Sequence, residues 1–275
     1  MNTHGTKLRK LLVMHFRFFR GERGYFLSSL TVFCVLAIAS KASSQTLEPV
    51  PAWYRSCGQM VVVVTDHWES TEGQMRCLER GADKWVVKQD WIPVTVGRKG
   101  LGLGLGLHSG ELRGPQKKEG DKRGPAGVFR LEFGFGTGGM ASAAFPYRQT
   151  TDKDLWVDDP KSRFYNQWVN VTDPRVVRDW KSAETLRRTD GLYDYVIVVG
   201  HNREPILPGP GSAIFMHAWS APGNPTIGCT AMEKARVKTL LQWLDASKAP
   251  VLVQAPGELL PTLEIPDEVM ILMGK

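Results

Sequence analysis

Cys229 and His217 are the residues of this chain best placed by type and spacing to do chemistry together. Cys229 stands in Thr226-Ile227-Gly228-Cys229-Thr230. His217 lies twelve residues earlier, across a segment that holds Pro222, Gly223 and Pro225 and must therefore loop. A thiol within reach of an imidazole is what nucleophilic catalysis needs, because the imidazole can take the thiol proton. Gly228 lets a substrate approach the backbone without a Cβ clash. N–H groups around Ile227, Gly228 and Cys229 are candidates to hold the oxyanion of an acyl transfer. Spacing alone leaves a second reading open, a buried structural cysteine and a satisfied core histidine.

The elements that would position this pair are short and mostly extended. Gln59–Thr65, Tyr193–Val199, Ala213–His217 and Val251–Gln254 read as strands, rich in β-branched residues and bounded by turn signals, with shorter strand signals at 84–87, 91–96 and 128–133. Thr230-Ala-Met-Glu233 matches a capping box, followed by Val237, Leu240, Leu241 and Leu244 on one helical face. That pattern predicts a helix opening immediately after Cys229, whose unpaired N–H groups and positive dipole end would favour the thiolate. The alternating Gly and Leu of 100–107 predicts an extended segment with close backbone approach. Gly134, Gly136 and Gly139 match G-x-G-x-x-G, but Pro146 follows quickly and no acidic partner sits in a βαβ context, so no nucleotide site is assigned. Residues 155–171 read as a packed loop and 182–188 as a short helix. The whole predicts one strand-rich single domain with few helices over residues 45–255, and a Pro-punctuated tail over 256–275.

The chain has a formal charge of +7, concentrated in residues 1–44, where seven basic residues face Glu22 alone. The remainder is close to neutral and gives no electrostatic reason to bind nucleic acid. Residues 1–44 read as a secretory leader: a basic start, the uncharged core Leu30–Ala39, then Ala42 and Ser44 at a cleavable junction before Gln45. Met14 is an alternative start, and an uncleaved N-terminal anchor is the alternative fate. Export would place the domain in the periplasm or cell envelope and leave Cys57, Cys77 and Cys229. Cys57 and Cys77 are candidates for one disulfide, with Cys229 the thiol left over. His67, His108, His201 and His217 show no metal-ligand spacing, and no metal or cofactor is expected. His201 and His108 read first as packed turn residues.

Gly211–Met232 (GSAIFMHAWSAPGNPTIGCTAM) resembles the active-site segment of the YkuD-like L,D-transpeptidases, more closely the ErfK/YbiS/YcfS/YnhG branch, in which a His and a Pro/Gly loop precede S-x-G-C. Thr226 stands in place of the usual Ser. Lys118-Glu-Gly-Asp121 with 124–129, Asp159-Pro-Lys-Ser162 with Tyr165-Asn166, and His201-Asn202 resemble further landmarks in the same order, so the likeness spans roughly residues 59–255. The resemblance implies a mainly β fold, a β-sandwich or similar β-rich single domain with a few short helices, and a Cys229 nucleophile assisted by His217. It implies action on peptidoglycan stem peptides: acyl-enzyme formation at the third residue, loss of a terminal D-amino acid, then transfer to an amine, which a cell-wall-linked protein could supply. Water as acceptor would make the protein an amidase or L,D-carboxypeptidase, and a noncatalytic cell-wall-binding domain is the rival of another class. Gly228 and Ile227 are expected at the oxyanion. Thr226, Ser212, Trp219, Asn202 and Arg203 are candidate substrate-binding residues. Many members carry Arg two residues after the Cys; here that position is Ala231, and Arg203 or another basic residue would have to substitute.

Overall fold

The computed structural model describes residues 50–139 and 144–274. The leader expected over 1–44, with its cleavage junction, lies outside the described residues. Among the described residues thirteen strands are present: β1 (Gln59–Thr65), β2 (Glu72–Arg80), β3 (Trp85–Thr95), β4 (Leu101–Leu103), β5 (Gly124–Gly136), β6 (Tyr147–Gln149), β7 (Asp154–Val157), β8 (Gln167–Asn170), β9 (Ala183–Thr185), β10 (Val196–Val199), β11 (Phe215–Ala218), β12 (Thr230–Met232) and β13 (Val251–Pro256). Three short helices join them: α1 (Ala52–Ser56), α2 (Lys234–Trp243) and α3 (Asp267–Leu272). Among the described residues no helix is long and apolar enough to cross a membrane.

The fold is mainly β, as the sequence indicates, but the large sheet closes into a barrel rather than stacking as a sandwich. Its order is β10-β11-β12-β3-β2-β1-β13-β5, and β5 pairs back to β10. Closure rests on the length of β5. Gly127–Arg130 pairs with β13, while Leu131–Phe135 pairs with β10. One long strand thus serves two neighbours, and no open edge is left in the ring. Two of the ring's pairings, β1 with β13 and β11 with β12, are parallel. β1 is buried almost along its whole length, as expected for a strand covered on both faces. Val237, Leu240 and Leu241 of α2 pack into the same core, the apolar face read from the sequence.

The glycines of 100–107 do allow close approach. A Cβ on Gly106 would lie 2.1 Å from the Val128 carbonyl oxygen of β5, so this edge admits no side chain there. Gly134 and Gly136 belong to β5 itself.

Four expectations are corrected. Thr230 does not cap a helix. Residues Thr230–Met232 form β12 between β11 and β3, and the Thr230 hydroxyl donates to Gln254 Oε1 at 2.6 Å. The helix begins only at Lys234, with Glu233 at its N-cap and no side-chain cap bond. Pairing with two strands and a buried hydrogen bond outweigh the local capping signal. Residues 182–188 are not helical; Ala183–Thr185 pairs with β7, which also pairs with β8, giving a second, three-stranded sheet where a loop was expected. The segment after 255 is no loose tail: Leu259, Leu260, Leu263, Val269 and Met273 are in the core, and Tyr54 donates to Glu268. Cys57 and Cys77 remain separate buried thiols. The β1–β2 register puts Cys77 opposite Val61, while the Cys57 thiol turns to the Gln59 carbonyl at 3.2 Å.

Candidate active site

β11 ends beside the start of β12, and this juncture brings His217 and Cys229 to one cavity. In the parallel pair, His217 is the register partner of Ala231. The intervening loop returns the chain through Thr226, whose bridge to Gly97 anchors it. The cavity has a volume of about 430 Å³, and its wall includes Ser212, His217, Trp219, Thr226, Ile227, Gly228, Cys229 and Ala231. Seven of the site residues expected from the sequence are therefore gathered in one place.

Both side chains are nearly sealed: Cys229 is 9% exposed and His217 8%. Imidazole Nδ1 lies 2.7 Å from the Ala218 carbonyl oxygen. That oxygen can only accept, so Nδ1 carries the proton and Nε2 is left as the basic nitrogen. Tyr193 braces the ring, with centroids 5.2 Å apart and planes at 67°. Burial holds the imidazole pKa down at about 4, against a small opposing effect of the Ala218 hydrogen bond. His217 is thus neutral and competent as a base.

The thiol departs from the expectation of a depressed pKa. Cys229 precedes a strand, so no helix dipole reaches it. Burial pushes its pKa well up, and the nearby Glu184 carboxylate adds to the rise, while the Phe215 hydrogen bond opposes it. Sγ accepts the Phe215 N–H at 3.4 Å and donates to the Ala213 carbonyl at 3.5 Å. At rest the pair is a neutral thiol and a neutral imidazole, and the thiol proton is directed to β11 rather than to His217.

Thr226 organises the backbone beside Cys229. Its hydroxyl accepts the Gly228 N–H at 3.0 Å and donates to the Cys229 carbonyl at 2.6 Å. The Gly228 N–H is therefore occupied and does not serve an oxyanion as expected. The Cys229 N–H has no hydrogen-bond partner among the described residues and is the available donor. Ile227 is 67% exposed at the cavity rim, where its side chain meets solvent.

Asn202 and Arg203 are elsewhere. They line a different cavity of about 650 Å³ beside Gly104, Arg130 and Glu132. Asn202 is structural, its amide donating to the Leu207 and Gly211 carbonyls. Arg203 pairs with Glu132 at 3.2 Å and lies over the Trp156 ring. His201 is also structural: Nδ1 accepts the Leu105 N–H at 3.1 Å, so Nε2 donates to Pro210 O at 3.0 Å. His108 accepts the Val128 N–H.

The sequence reading did not single out Lys117, Asp158, Glu184, Arg188 and Tyr193, which all line the Cys229 cavity. Arg188 is a basic residue of the cavity that Ala231 also lines, and it lies over the Tyr193 ring at 5.2 Å. Its Nε and Nη2 bond Asp190, and Nη1 has no partner among the described residues. No local motif marks these residues; Glu184 lies on β9, paired with Trp156 of β7, and Arg188 follows three residues after that strand. Among the described residues no group of three His, Cys, Asp or Glu side chains is arranged to hold a metal ion.

The family model described as YkuD, L,D-transpeptidase catalytic domain, matches residues 63–253. No curated protein matches the chain. A solved structure, that of Bdellovibrio bacteriovorus Bd1075, is 11% identical over 72% of this chain and 48% of that one, with a TM-score of 0.35, too distant to bear on the site.

Proposed function

The chain belongs to the YkuD family of L,D-transpeptidase catalytic domains, and on that footing we propose that it is a cysteine acyltransferase acting on peptidoglycan stem peptides, with Cys229 the nucleophile and His217 its base. The family's activity is of the L,D-transpeptidase type on peptidoglycan. The observation that carries the reading is the fixed tautomer of His217: Nδ1–H is tied to Ala218 O, leaving Nε2 unprotonated in the cavity that holds the Cys229 thiol.

In the proposed sequence the thiol turns from Ala213 O and gives its proton to His217 Nε2. Sγ forms a bond to the carbonyl carbon of the L-centred third residue. The Cys229 N–H stabilises the oxyanion, a contribution that grows in a site closed to water. His217 returns the proton to the nitrogen of the leaving D-amino acid as the C–N bond breaks, and a thioester remains. An amine then attacks, losing its proton to His217, and the thiolate leaves and is reprotonated. Because the imidazolium is disfavoured by burial, proton transfer is coupled to bond formation rather than preceding it. Arg188, in place of an arginine at 231, supplies a guanidinium for a substrate carboxylate.

Water as acceptor gives the second reading, an amidase or L,D-carboxypeptidase with the same acyl-enzyme. A noncatalytic wall-binding role is disfavoured by the retained thiol and the imidazole beside it. The protein would act after export, in the periplasm or cell envelope, with the peptide and an amine as its partners. Incubating the protein with muropeptides, with and without an added amine, and weighing the products tests this. New cross-linked or amine-capped products mark transfer, shortened stems alone mark hydrolysis, and unchanged muropeptides contradict both.

A further inference from the structure

Asn166 lies in the turn between β7 and β8, far from Cys229 in sequence, and a single intervening residue joins the two. Its side chain is buried and uses its full hydrogen-bonding capacity. Oδ1 accepts the Trp156 indole N–H at 2.9 Å and the Ala213 backbone N–H at 3.2 Å. Nδ2 donates to the His201 and Asn202 carbonyls at 3.1 and 2.7 Å. The first two partners can only donate and the last two only accept, so the amide fits one way round. Ala213 has a φ of 52°, in the left-handed region that few L-residues take. Asn166 and Asn202 are left-handed too, at 55° and 53°, but asparagine tolerates that region far better than alanine. A residue so placed keeps its conformation only where its surroundings hold it. The Ala213 carbonyl in turn accepts the Cys229 thiol at 3.5 Å, and the Phe215 N–H reaches Sγ at 3.4 Å. The backbone angles of Ala213 set the direction of that carbonyl, and hence the place of the thiol.

We propose that Asn166 is a positioning residue for Cys229: by bonding the Ala213 N–H it fixes the left-handed residue whose carbonyl aims the thiol, and so sets where Sγ starts its attack. Asn166 is not part of the cavity wall, so it acts through the Ala213 backbone and not on the substrate. The effect on acyl transfer rests on the acyltransferase reading; the hold on the thiol does not.

The test reads the S–H stretching band of Cys229 in the infrared, assigned by its loss in Cys229→Ala, because that band reports the hydrogen bond the thiol donates. Asn166→Gly suits the left-handed backbone at 166 and removes the amide. Asn166→Asp keeps an oxygen for the Ala213 N–H and loses the amide donors to residues 201 and 202. Both variants should melt lower. The band is expected to move to higher frequency in Asn166→Gly and to stay in Asn166→Asp. Acyl-enzyme formation with a saturating stem tetrapeptide, followed by intact mass, should fall roughly 10-fold to 100-fold in Asn166→Gly, the scale of a reacting group misplaced by about 1 Å. An unmoved band in folded Asn166→Gly overturns the proposal. So does a band that moves equally in both variants, which would assign the effect to the bonds with 201 and 202. A moved band with acylation at the normal rate also overturns it. If Asn166→Gly does not fold, Asn166→Asp decides: a retained band supports the proposal and a moved one overturns it. If neither folds, amide hydrogen exchange on the unaltered protein decides: a protected Ala213 N–H supports the hold, and exchange at the rate of a free amide overturns it. If the band moves as expected but no donor acylates even the unaltered protein, the hold on the thiol stands and the acyltransferase reading falls.

Discussion

His217 lies directly across the β11–β12 ladder from Ala231, and both face the cavity that contains Cys229. A methyl group therefore stands where related active-site motifs place a guanidinium. Arg188, in the segment after β9, lines the same cavity. Replacing it by Gln is expected to lower kcat/KM for donors with a free carboxylate roughly 10-fold to 100-fold, the value of a charged hydrogen bond. Alkylation of Cys229 by a small neutral reagent should be unaffected. An unchanged kcat/KM in steady-state kinetics would remove Arg188 from the site.

Burial, not a helix dipole, sets the acidity of Cys229. Its pKa stands above the ordinary thiol range, so alkylation by iodoacetamide near neutral pH should be slower than that of free cysteine, whose pKa is about 8.5. The rate should climb with pH well past that point. Rapid alkylation at pH 7, mapped to Cys229 by peptide mass, would show a thiolate at rest and contradict this.

His217 and His201 are both buried and held to about 4, against about 6.5 in an unfolded chain. Between those values the unfolded state binds protons that the folded state refuses, so stability rises with pH across the window. The neutral imidazoles therefore cost stability as pH falls from about 6.5 toward 4. His217→Asn removes one of the two groups, and the slope of melting temperature against pH in this window should flatten relative to the unaltered protein. Acylation should lose its base only as pH drops through about 4. Identical melting slopes would count against a buried neutral imidazole at 217.

Thr226 holds the approach to the nucleophile by two hydrogen bonds, one to the Gly228 N–H and one to the Cys229 carbonyl. Thr226→Ser keeps the hydroxyl and should be nearly silent. Thr226→Val should cost about 1–3 kcal/mol in denaturant unfolding and reduce acylation with it. The same logic applies to Thr230→Val, which would leave Gln254 Oε1 without its donor in a fully buried position.

The sequence made some of this legible and hid the rest for definite reasons. β1 and β10 announce themselves because buried strands need unbroken β-branched runs, and α2 because Val237, Leu240 and Leu241 repeat at helical spacing. Cys229 and His217 could be paired because a Pro/Gly loop between them must double back. The start of α2 misled because Thr230 and Glu233 satisfy a local capping pattern, whereas Gln254, distant in sequence, claims the Thr230 hydroxyl. Barrel closure was invisible because it depends on β5 serving β13 and β10 in turn. Glu184 and Arg188 were missed for a similar reason: their segment carries no motif, and its place on the cavity wall follows a long-range pairing, Glu184 opposite Trp156 on β7.

The most direct measurement is covalent labelling of Cys229 by its substrate. The protein and its Cys229→Ala and His217→Ala variants are mixed with a stem tetrapeptide, or with a carbapenem as a substrate mimic, and intact masses are followed in time. The account predicts an adduct on the unaltered protein that retains the acyl portion, none on Cys229→Ala, and a rate lowered roughly 10²–10⁴-fold on His217→Ala, the worth of general-base assistance. An adduct that forms at the normal rate on Cys229→Ala would contradict the account at its centre.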